Sequence, residues 1–66
     1  MARKYYAQIN GNTDDSKHYD SDRAAAEANW DAIKAGDRVR TWNDANFNEM
    51  EWSYDHSANA ISGEYV

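Results

Sequence analysis

Cysteine and proline are both missing from this 66-residue chain, and only three glycines punctuate it. Without cysteine there is no disulfide framework and no thiolate to serve as nucleophile or metal ligand. No stretch approaches the roughly 20 apolar residues of a membrane-spanning helix. The opening "MARKYYAQINGN" has a short basic start but no apolar run, so it predicts no signal peptide. Absence of cysteine agrees with a reducing compartment, and the expected setting is the cytoplasm.

Bases are lacking in one region only. Residues 1–40 hold seven bases (Arg3, Lys4, Lys17, Arg23, Lys34, Arg38, Arg40) and seven acids, whereas residues 41–66 hold five acids (Asp44, Glu49, Glu51, Asp55, Glu64) and no base. The net charge of −5 therefore belongs entirely to the last third. A single-sign field repels nucleic acid and anionic membrane and steers basic partners inward. Charge for solubility alone is the bland alternative, and the segregation argues against it.

What the chain does have is rings. Three tryptophans, five tyrosines and one phenylalanine are too many for a typical disordered tail, even at a mean hydropathy of −1.12. A chain this short buries only about 60% of the surface its unfolded form exposes. Large aromatic side chains, and self-association, are the available remedies. The expectation is one folded domain spanning residues 1–66.

"KYYAQIN" alternates, with Tyr5, Ala7 and Ile9 on one side and Lys4, Tyr6, Gln8 and Asn10 on the other, as a half-buried strand does. Asn10-Gly11 supplies the positive-φ positions of a tight hairpin turn, with a short return strand through Lys17 to Tyr19. "DSDRAAAEANWDAIKAGD" predicts one helix. Asp20 or Ser21 caps it, alanines fill it, and Gly36 is the residue just past its end. Arg23, Glu27, Asp31 and Lys34 form its wet face, while Asn29 lies among the alanines with no evident partner. "DRVRTW" predicts a strand with Val39 and Thr41 opposed to Arg38, Arg40 and Trp42. "NDAN" turns the chain by side-chain-to-backbone bonding. "NEMEWSYD" alternates Met50, Trp52 and Tyr54 against Glu49, Glu51, Ser53 and Asp55. "HSANA" is a loop, and "ISGEYV" is a last strand with Ile61 and Tyr65 on one face. The fold class is α+β, in the order β-(β)-α-β-β-(β), with one helix packed on an antiparallel sheet of three to five strands.

Metal and catalytic signatures are absent. "DDSKHYDSD" gathers aspartates, but from Asp20 the fifth and sixth loop positions are Ala24 and Ala25, where a calcium loop needs a ligand and a glycine. His18 and His56 are the only histidines and lie far apart, which argues against zinc. No serine lies in a Gly-x-Ser-x-Gly setting, and the neighbours Asp55, His56 and Ser57 point apart. The expectation is no enzyme, no metal and no cofactor. Ordinary nucleic-acid binding would fall to Lys4, Arg38, Arg40 and Tyr6, against the overall charge.

The outward row Glu49, Glu51 and Asp55 is the clearest candidate site. Strand geometry spaces such acids at roughly 6.6–7 Å per two residues, commensurate with phosphates along a nucleic-acid strand. A row like this suits a basic groove, with Arg38 and Arg40 on the preceding strand as cations able to neutralise it. The expected partner-binding residues are Asp44, Glu49, Glu51 and Asp55 as charge contacts, with Trp42 and Tyr6 as aromatic anchors. A homodimer joined through the aromatic sheet face is the alternative.

The acid-only stretch 41–66 and the layout "KYYAQINGN", "SDRAAAEANWDAIKAG", "DRVRTW", "NEMEWSYD" resemble, by character, small acidic cysteine-free proteins of phages and mobile elements. Those proteins inhibit host defences, and include anti-CRISPR and DNA-mimicking anti-restriction proteins. The resemblance transfers no functional residues. It implies an inhibitor that occupies the basic surface of a host nucleic-acid-handling complex in the host cytoplasm.

Overall fold

The computed structural model describes residues 3–45 and 48–66. It contains a five-stranded antiparallel sheet with two short helices on one side. The elements run β1 (Tyr5–Ile9), β2 (Asn12–Thr13), α1 (Asp22–Ala28), α2 (Trp30–Lys34), β3 (Val39–Asn43), β4 (Met50–Asp55) and β5 (Ala60–Tyr65), and the strands lie in the order β2-β1-β3-β4-β5.

Asn10 and Gly11 both take positive φ, 51° and 88°, and join β1 to β2 in the mirror-image turn that the right-handed strand twist favours. The return strand expected at Lys17–Tyr19 is not formed. β2 stops at Thr13, and Tyr19 rejoins β1 only through an isolated bridge, exchanging backbone bonds with Tyr5 at 3.1 and 2.8 Å. The polar run between them closes its own turn instead, with Asp14 accepting from Ser16. Asn10 also clips the start of β3, its side-chain oxygen accepting from the Arg38 N–H at 3.0 Å.

The single helix expected from Ser21 to Ala35 is two. Ser21 caps α1 by accepting from the Ala24 N–H at 3.0 Å. The break falls at Asn29, whose side chain donates to the Ala25 carbonyl at 2.8 Å and whose backbone leaves the helical region, with φ −116° and ψ 27°. A mid-helix asparagine that bonds to a local carbonyl competes with the helical ladder. The surrounding alanine propensity does not outweigh it. α2 ends as expected: Gly36, at φ 95°, donates to the Ile33 carbonyl and Asp37 to that of Ala32, the paired closure of a Schellman cap.

Alternation along each strand delivers the core. Ile9, Val39, Met50, Trp52, Tyr54 and Ile61 point to the helix side, where Ala26 and Ile33 meet them. Fully buried Ala25 and Ala26 let α1 lie close on β1 and β3, while α2 packs on β4. Buried Thr41 accepts from the Trp52 indole N–H at 2.9 Å, so the one polar atom of that large ring is satisfied inside the core. Tyr65, on the same face as Ile61, is nevertheless 70% exposed, because the main helix contacts fall on β1, β3 and β4 rather than β5. The expected "NDAN" turn begins as Asn43 accepts from the Ala45 N–H at 2.8 Å. Asn46 and Phe47 lie outside the described residues. Among those described, no helix is long and apolar enough to cross a membrane.

Candidate protein-binding face

The helices cover one face of the sheet and leave the other open. Alternation puts Tyr6 and Gln8 of β1, Arg40 and Trp42 of β3, Glu51 and Ser53 of β4, and Ser62 and Glu64 of β5 on that open face. Tyr6 and Trp42 are directly paired across β1 and β3. Their rings stack with centroids 4.6 Å apart and planes inclined by 25°, both half-buried. The two rings, turned face to face, form an apolar pair on the side of the sheet away from the core.

On the same face as this pair stands Arg40. One guanidinium nitrogen lies 3.4 Å from Glu49 Oε1 and the other 3.7 Å from Glu51 Oε2, while Arg38 Nε lies 3.7 Å from Glu51 Oε1. The two arginines do turn toward Glu49 and Glu51. Arg40 is the better held, with its side chain 24% exposed against 66% for Arg38. These partly exposed pairs contribute little to stability, about 0–1 kcal/mol each, but they fix where the cations point.

The other expected contacts divide. Asp44, at the end of β3, accepts from the Lys4 backbone N–H at 3.2 Å while its own N–H donates to the Lys4 carbonyl, so it tethers the start of β1. Asp55 serves the β4–β5 turn. Its carboxylate accepts from the Ser57 hydroxyl at 2.7 Å and from the backbone N–H groups of Ser57 and Ala58. The Ser57 hydroxyl above all, then those N–H groups, hold its pKa below the usual carboxylate value.

Glu64 was not among the expected contacts. It lies directly across from Glu51 in the β4–β5 register, and no described cation pairs with it. The even spacing of Ser62 and Glu64 against Ile61 and Tyr65 was the available signal. Across β3 to β5 the open side therefore sets Arg38 and Arg40 against Glu49, Glu51, Asp55 and Glu64. The excess is acidic.

Among the described residues, no group of three or more histidine, cysteine or acidic side chains is arranged to hold a metal ion. His56 packs edge-on against Tyr54 with ring centroids 4.6 Å apart. No protein-family model, curated protein or solved structure matches this chain.

Proposed function

We propose that this chain is a small protein-binding module whose open sheet face docks on a basic protein surface of the kind that ordinarily holds nucleic acid. The observation that carries this reading is the acid excess across β3 to β5 of the uncovered face, where Glu64 stands opposite Glu51 and no described cation pairs with it. The stacked Tyr6 and Trp42 supply the apolar anchor that an interface needs at its centre. Arg38 and Arg40 draw Glu49 and Glu51 into local pairs. The row of free carboxylates is thus shorter than the sequence suggests, and the weight of recognition moves toward Glu64 and the aromatic pair. Ordinary nucleic-acid binding draws less support, because the same pairs engage both arginines it would use. The most specific form of the proposal is an inhibitor of phage or mobile-element type acting on a host nucleic-acid-handling complex in the cytoplasm.

The test is capture from a bacterial lysate at low salt by immobilised wild type and by Trp42→Ala and Glu64→Lys variants. The expected result is a basic protein retained by the wild type, lost from both variants, and displaced by added DNA or RNA. Equal retention on all three, or indifference to nucleic acid, contradicts the reading.

A further inference from the structure

The two edges of the sheet are unlike. On one side the two-residue β2 and the bridge from Tyr19 to Tyr5 occupy the outer edge of β1. On the other side β5 runs open for six residues, Ala60–Tyr65, with neither the proline nor the lysine that commonly blunts an edge. The Val66 N–H donates to the Glu49 carbonyl at 3.0 Å. The alternation of an antiparallel ladder then turns the backbone groups of Ala60, Ser62 and Glu64 toward β4, and those of Ile61, Gly63 and Tyr65 outward. The large hydrophobics that stand exposed among the described residues are Tyr65 and Val66, at 70% and 71%, both at this edge.

We propose that β5 pairs with β5 of a second copy of this chain, antiparallel about a twofold axis at Gly63, so that two sheets become one. The register follows from the outward groups. Centring on Gly63 sets Ile61 opposite Tyr65 of the second copy and uses every outward N–H and carbonyl of the strand. Centring on Ser62 would instead oppose Tyr65 to Asn59, which has left the strand at φ 50°. The Gly63 register covers the exposed Tyr65 ring with the neighbouring Ile61, and places Glu64 across from a serine rather than another acid. At the axis, the Trp52 ring already lies over Gly63, so closely that an added Cβ would come within 2.8 Å of it. The seam is therefore roofed by indole where it has no side chain of its own.

Opposed residues in a ladder share a face, so both helix layers fall on one side of the joined sheet and both open faces on the other. The dimer presents two aromatic and acidic faces side by side, which raises avidity for an extended basic surface without any new contact. The pairing itself rests on the edge alone and stands whether or not the face docks as proposed.

The test is sedimentation equilibrium of the wild type, Tyr65→Pro and Tyr65→Lys, each checked by circular dichroism. Proline at position 65 removes an outward N–H and spares the ladder to β4, which is where an edge strand tolerates it. The wild type is expected to shift from monomer to dimer with concentration, more readily at higher salt, because screening weakens repulsion between two chains of charge −5. Both variants are expected to remain monomeric. A wild type that stays monomeric to millimolar concentration overturns the proposal, as does a dimer untouched by either substitution. If Tyr65→Pro fails to fold, Tyr65→Lys and amide exchange of the wild type decide. Protection of Ile61, Gly63 and Tyr65 that grows with concentration supports the pairing, and free exchange there at all concentrations overturns it.

Discussion

Glu51 and Glu64 stand directly opposite each other across β4 and β5, on the face that no helix covers. Like charges in that relation destabilise a sheet, where opposite charges would contribute about 0.2–1 kcal/mol. Arg38 and Arg40 both reach Glu51 from the β3 side, leaving Glu64 without a described cation. The fold does not require an acid at position 64. The proposed docking on a basic surface does.

Replacing that acid separates stability from binding. Glu64→Lys is expected to raise the free energy of unfolding by a few tenths to about 1 kcal/mol, by creating an opposed pair with Glu51. The gain should shrink in molar salt. Urea titrations at low and high salt read it directly, and a loss of stability would show that Glu64 does something for the fold that its surroundings do not reveal.

The Trp52 indole has one acceptor, and it lies in the core. Thr41→Val keeps the shape and removes the hydroxyl, leaving a buried N–H unpaired at a cost of about 1–3 kcal/mol. Thr41→Ser, which keeps the acceptor, is expected to cost less of that hydrogen-bond energy. Chemical denaturation of the two variants distinguishes loss of the hydrogen bond from loss of a methyl group.

Gly63 is held to glycine by its neighbour across the ladder. Gly63→Ala would bring a Cβ to 2.8 Å from Trp52 Cε2, and overpacking of that kind costs about 1–3 kcal/mol. In a Trp52→Leu background the same substitution should cost much less. A double-mutant cycle measures the difference as a coupling between the two sites.

Acid should loosen the β4–β5 turn. The Ser57 hydroxyl and the N–H groups of Ser57 and Ala58 favour the charged form of Asp55 and depress its pKa in the folded state. Asp14 is depressed likewise, by the Ser16 hydroxyl first and then its backbone N–H. The stability each contributes is fully present above the unfolded value near 3.9, and is lost as pH falls below it through the folded value. Urea midpoints should therefore decline as the pH falls below about 4, and Asp55→Ala should flatten the decline.

Much of this was legible in the residues. The alternation of Met50, Trp52 and Tyr54 against Glu49, Glu51, Ser53 and Asp55 named the buried side of β4. Asn10-Gly11 and Gly36 placed a turn and a C-terminal cap by their own chemistry, while the N-terminal cap was open between Asp20 and Ser21 until the geometry chose Ser21. The break at Asn29 was hidden because alanine propensity and a competing side-chain bond act on the same residues, and only the geometry shows which wins. The return strand dissolved into one bridge because "TDDS" satisfies itself locally. Tyr6 and Trp42 could be assigned to the solvent side, but their stacking depends on the β1–β3 register, which is long-range in sequence. For the same reason the opposition of Glu51 and Glu64 was out of reach until β5 was placed beside β4.

The most direct test of the docking face is an amide-resolved NMR titration of the labelled protein with an arginine-rich polypeptide at low salt. The expected result is a contiguous set of shifts at Tyr6, the Trp42 indole, Glu51 and Glu64, with little change in the acidic segment from Asp14 to Asp22. Shifts concentrated in that segment, or spread evenly over every acidic residue, would contradict the assignment of recognition to the open face of the sheet.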